Sequence, residues 1–321
     1  MSAAFLAADV GGTNARLALV RDRGGVVVEL LEQRRYLCAE HPSLAAIAAD
    51  FLAVTGARVD AMAIGIAGVV RGDAIISRNV PWPVSLAQIR ALGIAEVAAV
   101  NDFVAVAHAE QCMNDTDTTL LTPGVAGHAP GPTLVVGPGT GLGAALRVPV
   151  GEGTLVLPSE PQQVTLAPGN ARELAVLQHW MRHGAAHVGI GHAVSGPGLS
   201  NLYRALCELD GAPPRLRSSA EVTAAAEQGD DPHAREAVAV FCGLFGSLVG
   251  DLVMVTGATG VFVAGGVPLK VKAQLLASDF AARMVDKDVM RPVLERVPVR
   301  LVDDPDMGLI GAAAWYLARK L

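Results

Sequence analysis

Residues Leu6 to Leu19 read Leu-Ala-Ala-Asp-Val-Gly-Gly-Thr-Asn-Ala-Arg-Leu-Ala-Leu, two apolar strand-like runs joined by a small polar turn. The alternation of apolar residues on both sides predicts a β-hairpin. Its turn has the chemistry of a nucleotide phosphate loop. Gly11 and Gly12 lack a Cβ, so the backbone is free to adopt positive φ and bring its N–H groups against phosphate oxygens, and the Thr13 hydroxyl adds a neutral donor. Ala8, Asp9, Val10 and Asn14 complete the loop. A carboxylate beside phosphate repels it unless a divalent cation lies between, which makes Asp9 the candidate holder of Mg²⁺, directly or through water. Taken alone, the same string also fits an ordinary glycine-rich turn.

A second copy decides between these. Leu134 to Leu146, Leu-Val-Val-Gly-Pro-Gly-Thr-Gly-Leu-Gly-Ala-Ala-Leu, repeats strand, Gly/Thr turn and strand. Two such hairpins predict a duplicated chain, two related α/β halves facing across a central cleft, with Gly139, Thr140 and Gly141 gripping the phosphates from the other side. Two other nucleotide folds are excluded. The chain holds no GxxxxGK[ST] string, and the glycines from 137 to 143 lead into another strand-like run, not into the helix a dinucleotide fold needs. A third glycine pair, Gly265-Gly266, ends the apolar run Gly260 to Ala264 before a helix beginning near Pro268. Bare backbone at that point suits a flat adenine or a ribose, and equally a tight turn.

Asp102 follows a predicted parallel strand, Glu96 to Val100, at its carboxyl end, where open α/β sheets place ligand-contacting groups. A carboxylate there can accept the proton of an attacking hydroxyl during phosphoryl transfer. Asn101 and Asp102 are also favoured N-cap residues for the helix beginning at Phe103, and the two roles are compatible.

These segments, Asp9 to Arg16, Asn101 to Phe103, Gly137 to Gly143, Leu157 to Glu160, Ser195 to Leu199 with Asn201 to Tyr203, and Val263 to Gly266, resemble in order and spacing the bacterial glucokinases. Those belong to the hexokinase branch of the actin-like ATPase and sugar-kinase superfamily, and the similarity spans nearly the whole chain. The resemblance implies a two-domain actin-like ATPase (ribonuclease H-like) fold with duplicated βββαβα cores, and ATP-dependent phosphorylation of glucose or a related hexose at its 6-hydroxyl. It makes Asp102 the general base and Asn101 a partner for a sugar hydroxyl. Asn79, in Arg78-Asn-Val-Pro-Trp82, falls on the wall of the sugar cleft. Glu160 stands where these enzymes have a sugar-binding Glu, whereas Gln163 replaces a sugar-binding His and Gly191 replaces a second Glu. A kinase for another hexose or an amino sugar, or a weakly active paralogue that senses sugar, therefore stands beside the glucokinase reading. The resemblance also implies a homodimer. It makes residues 1–108 with 306–321 a discontinuous small domain and 109–305 the large one.

Composition narrows the partners. The 321 residues carry 25 Lys and Arg against 31 Asp and Glu, a net charge of −6, which gives no basic surface for nucleic acid or anionic lipid. Cys38, Cys112, Cys207 and Cys242 are scattered, with no CxxC spacing, so neither a disulfide framework nor the zinc motif of many sugar-kinase relatives is expected. No uninterrupted apolar run of membrane-spanning length is read, and the first residues form the first strand in place of a signal peptide, so a cytoplasmic protein is expected. His179, His183 and His187 fall at helical spacing, but Gly184 breaks the helix and a surface stripe is favoured over a metal site.

Overall fold

The computed structural model describes residues 4–24, 28–77, 80–113, 115–125 and 131–319. Asn79 lies outside them. The chain divides into two compact units, 1–117 with 156–158 and 304–321, and 118–155 with 159–303.

The first unit is built on a five-stranded sheet. β1 (Phe5–Val10), β2 (Asn14–Asp22) and β3 (Val28–Leu37) form the antiparallel meander, and β4 (Ala61–Ile66) leads to a small sheet of β5 (Val69–Arg71), β6 (Ala74–Ile76) and β7 (Val84–Ser85). β8 (Glu96–Val100) completes the order β3-β2-β1-β4-β8. β1, β4 and β8 run parallel, so their carboxyl ends share one edge. Asp9 is in register with Gly65, and Gly65 with Val100. Two strand spacings, about 10 Å, thus separate the Asp9 and Val100 backbones, and Asp102 follows two residues beyond. One face of the sheet is covered by the helix Leu44–Thr55, whose Leu44, Ile47, Ala48 and Phe51 are buried with Leu6, Ala8, Leu17, Met62 and Ile64. The other face takes the helix Met307–Ala318, whose Leu309, Ala313 and Tyr316 pack on Phe5, Ala7, Ala18 and Ala63. That helix also lies close on the helix Asp102–Ala109. Gly311 makes this possible, since a Cβ there would stand 2.1 Å from the Ala105 carbonyl oxygen.

In the second unit β9 (Thr118–Thr122), β10 (Thr133–Pro138), β11 (Leu142–Val150), β12 (Gly153–Ser159), β13 (Gly260–Val263) and β14 (Val299–Val302) form a sheet ordered β12-β11-β10-β13-β14-β9. Its central β10 and β13 are parallel. The order β12-β11-β10 repeats β3-β2-β1, and β10 and β11 pair antiparallel as β1 and β2 do, matching the duplication read from the sequence. Its core centres on the 25-residue helix Pro232–Thr256. That helix has the length and hydropathy of a membrane span, contrary to the expectation that no such run exists. Its Ala237, Val238, Phe241, Phe245, Leu248 and Val249 are nevertheless buried among Leu202, Leu206, Val222, Phe280 and Met284, as a core helix requires.

Candidate active site

The first hairpin turn is closed by the Gly11 N–H donating to the Asn14 carbonyl at 2.9 Å. The Asn14 side chain is in turn fixed by Arg35, whose Nε donates to Asn14 Oδ1 at 2.9 Å. Neither Gly11 nor Gly12 occupies the left-handed region, so the expected positive φ is absent. Their contribution is the missing side chain: Gly11 and Thr13 are exposed, and the turn presents backbone to solvent.

Asp9 ends the same strand with its carboxylate turned into the protein. A Cβ on Gly308 would lie 2.4 Å from Asp9 Cγ and 2.5 Å from Oδ2, so the carboxylate rests against bare backbone in the first turn of the helix Met307–Ala318. The positive end of that helix faces it. Burial pushes the Asp9 carboxyl above its ordinary range, the Arg16 charge opposes the shift, and Asp306 reinforces it. Arg16 is cross-strand from Asp9, 3.9 Å from the Asp306 carboxylate, and it donates to the Pro305 carbonyl. A desolvated carboxylate with a second one nearby gains from a divalent cation. Among the described residues no group of three or more His, Cys, Asp or Glu is assembled. The pair of Asp9 and Asp306 carboxylates fits the one or two carboxylates that Mg²⁺ takes beside phosphate oxygens and water.

The cost of holding Asp9 is measurable. An acid whose pKa rises on folding binds its proton more tightly in the folded state, so the ionised form destabilises the fold above the folded pKa. That penalty fades as pH falls and is gone below the unfolded value near 3.8. Asp9→Asn is expected to raise the melting temperature of the ligand-free protein at pH 7.5 by roughly 3 °C, about 1 kcal/mol, and to lose that gain near pH 4. Scanning calorimetry at the two pH values checks both the size and the sign.

Asn101 and Asp102 stand on the parallel edge beside this turn. Asn101 Oδ1 accepts the N–H groups of Phe103 at 3.0 Å and Val104 at 3.2 Å, and the helix begins at Asp102. The cap role is therefore real for Asn101, and Nδ2 is the end of its amide suited to a ligand. Asp102 Oδ1 also accepts from Phe103 N–H at 3.0 Å. The carboxylate sits in the first helical turn.

The second unit carries the other set. Gly139 N–H donates to the Gly141 carbonyl at 2.7 Å, and the Gly139 carbonyl accepts the Gly196 N–H at 2.8 Å. Thr140 is exposed, and a Cβ on Gly139 would meet nothing within 4 Å, so space is open over this turn. Gly265 lies directly alongside with φ +102°, where a side chain is strained, and its Cβ would be 2.9 Å from the Pro138 carbonyl oxygen. Gly266 faces open space. Glu160 and Gln163 flank a short turn and are both exposed, and the Gln163 carbonyl bonds His187 Nε2 at 3.1 Å. The room a side chain at 191 would fill is taken by Gln162, whose Cγ stands 2.3 Å from the position of a Gly191 Cβ. His192, next along, packs its ring edgewise on Trp180 at 4.6 Å.

The family model for glucokinase matches residues 6–319. The chain belongs to the glucokinase family. It is similar to the glucokinase-like protein of Xylella fastidiosa, 43% identical over 98% of this chain and 95% of the relative. It is also similar to the glucokinase of Tolumonas auensis, 36% identical over 100% and 99% of the two chains. Among solved structures, glucokinase from an Antarctic psychrotroph matches with a TM-score of 0.82 at 29% identity, covering 97% of this chain and 98% of that one. The actin-like ATPase fold of the sugar kinases is thus the fold of this glucokinase-family chain.

Several residues of the site escaped the sequence. In the first unit Gly308 and Asp306 reach Asp9 only through folding, from nearly 300 positions beyond it, and in the second unit Gln162 reaches the Gly139–Leu142 turn the same way. His179, by contrast, pairs with Glu208 at 2.7 Å, and the helix carrying it ends at Arg182, before His187, as Gly184 predicted.

Proposed function

We propose that this chain transfers the γ-phosphoryl group of ATP to the 6-hydroxyl of glucose, with Asp102 as general base. The observation that carries this is the placement of Asp102 at the carboxyl edge of the parallel strands, in a helix first turn, beside the Asp9 turn, in a chain of the glucokinase family. In the reaction the Asp102 carboxylate takes the hydroxyl proton as the sugar oxygen bonds to the γ-phosphorus. The bond from that phosphorus to the bridging oxygen breaks, and ADP leaves with the electron pair. Gly11, Gly12, Thr13 and Gly139, Thr140, Gly141 hold the phosphates through N–H and hydroxyl donors, and Gly265 and Gly266 leave room for the nucleoside. Asp9 holds Mg²⁺, which neutralises phosphate charge when bound. Asn101, Asn79, Glu160 and Gln163 bond the sugar hydroxyls.

In this reading residues 1–108 with 306–321 and residues 109–305 act as two domains that close on the sugar, because an open site would spend ATP on water. It carries with it a cytoplasmic homodimer with no nucleic-acid or membrane partner. A coupled assay with glucose, ATP and Mg²⁺ tests the activity. Glucose-dependent ADP formation at a kcat on the order of 1–10³ s⁻¹ supports it; ADP release that ignores glucose removes it. A second reading, another hexose or an amino sugar as preferred substrate, is favoured by Gln162 filling the space at Gly191 and by the exposed Gln163. A sugar panel in the same assay ranks the two.

A further inference from the structure

Gln162 ties the loop of Glu160 and Gln163 to the turn of Gly139 to Gly141. Its Oε1 accepts the Leu142 N–H at 3.0 Å. A backbone N–H only donates, so the oxygen end of the amide is the end fixed on the turn. Three glycines make the slot. A Cβ on Gly141 would stand 2.5 Å from Oε1, one on Gly191 2.3 Å from Cγ, and one on Gly189 2.7 Å from the Gln162 carbonyl oxygen. None of the three has the positive φ that would itself demand glycine. Space for Gln162 is what their missing side chains supply.

The contacts continue around the turn. The Gly191 carbonyl accepts the Ser195 hydroxyl at 2.7 Å, and Ser195 caps the helix Gly196–Leu209 by accepting the Gly198 N–H at 2.9 Å. From the first residue of that helix, Gly196 N–H reaches back to the Gly139 carbonyl at 2.8 Å. The turn is therefore held at both ends, at Gly139 by the helix and at Leu142 by Gln162, while Thr140 between them is exposed.

We propose that Gln162 is a positioning residue for nucleotide binding. It fixes the Gly139–Leu142 turn in the geometry that receives phosphate and couples that turn to the loop of Glu160 and Gln163. The proposal rests on the kinase reading only in taking this turn as a phosphate site. Gln162→Leu and Gln162→Met keep much of the bulk and remove the acceptor for the Leu142 N–H. Gly191→Ala drives a Cβ into Cγ, whereas in a Gln162→Gly background the side-chain clash is gone and the residue-162 carbonyl oxygen at 3.2 Å remains.

The test is calorimetric titration with Mg·AMPPNP in the absence of sugar, with KM for ATP and kcat measured in parallel. Gln162→Leu is expected to raise the AMPPNP Kd and the KM for ATP about tenfold, about 1.4 kcal/mol, with kcat changed less than threefold. Gln162→Met, nearly the same size as Gln but with no acceptor for the Leu142 N–H, should match Gln162→Leu, whereas a purely space-filling role would leave it within about twofold of wild type. Gly191→Ala alone should match Gln162→Leu, yet add less than twofold to Gln162→Gly. An unchanged Kd in Gln162→Leu overturns the proposal, as does an equal penalty for Gly191→Ala in both backgrounds. Wild-type protein that binds AMPPNP but phosphorylates no sugar contradicts the activity and leaves the Gln162 comparison readable; wild-type protein that binds no AMPPNP overturns both.

Discussion

Asp102→Asn is expected to lower kcat for glucose phosphorylation by about 10²- to 10⁴-fold, the range over which a positioned base contributes, while the Kd for Mg·AMPPNP stays within about twofold. The substitution separates two roles that local structure superimposes. Asp102 stands in the first turn of the helix Asp102–Ala109 and accepts the Phe103 N–H, and Asn101 before it caps the same helix through two backbone N–H groups. An Asn at 102 keeps the size and the accepting oxygen, so the helix start survives. Only the capacity to take a proton is lost. If the carboxylate served the helix alone, Asn would leave turnover nearly intact, since it ranks with Asp at helix starts. Steady-state kinetics alongside calorimetric nucleotide binding separate these results.

The second large effect concerns fold and site together. Gly137 is the penultimate residue of the central strand β10, and a Cβ on it would fall 1.7 Å from the Ala264 carbonyl oxygen and 2.6 Å from its carbon. Both are backbone atoms of the chain that turns into Gly265, and Ala264 is itself tied by its N–H to the Val136 carbonyl at 3.0 Å. Nothing there can rotate away. Gly137→Ala should destabilise the protein by about 4 kcal/mol, a fall in Tm of roughly 10 °C. Gly139→Ala, two residues on, meets open space and has no left-handed φ, so its Tm should hold within about 2 °C. Its methyl group instead enters the phosphate approach, and the KM for ATP should rise about tenfold. Thermal melts and kinetics on the two variants distinguish a glycine kept for packing from one kept for a ligand. Equal Tm losses in both would contradict the assignment of that turn.

The parts of the fold legible in the sequence are those where local chemistry and tertiary demand agree. Gly-Gly-Thr-Asn and Gly-Pro-Gly-Thr-Gly break apolar runs that cannot be helical, so both hairpins are visible, as are the helices 44–55 and 219–228 with their Ser caps. Asn101-Asp102 after the mostly apolar strand Glu96–Val100 marks the carboxyl edge of the parallel strands for the same reason. Strand β12 escapes because it lies at a sheet edge, mostly exposed, with Pro158 inside it. The sequence reads a helix beginning near Pro268, but the helix starts at Gly266 and the chain on to Leu294 forms short pieces, interrupted at Val271, at Ser278 and Asp279, and beyond Val285, where Asp288 has φ +48°. Within the site, the glycines of the first turn are visible as residue types, but their backbone geometry is not. The support of Asp9 by Gly308 and the seating of Gln162 between Gly141 and Gly191 are contacts over long sequence distances. No period or motif encodes them.

The central claim, that Asp102 deprotonates a sugar hydroxyl facing the γ-phosphate, is tested most directly by a crystal structure with glucose and Mg·AMPPNP bound. General-base catalysis requires an Asp102 carboxylate oxygen about 2.6–3.2 Å from the 6-hydroxyl in that complex, with phosphate oxygens held by the turns at Gly11 and at Gly139. A nucleotide bound away from both turns, or an Asp102 carboxylate facing no hydroxyl of the sugar, would contradict it.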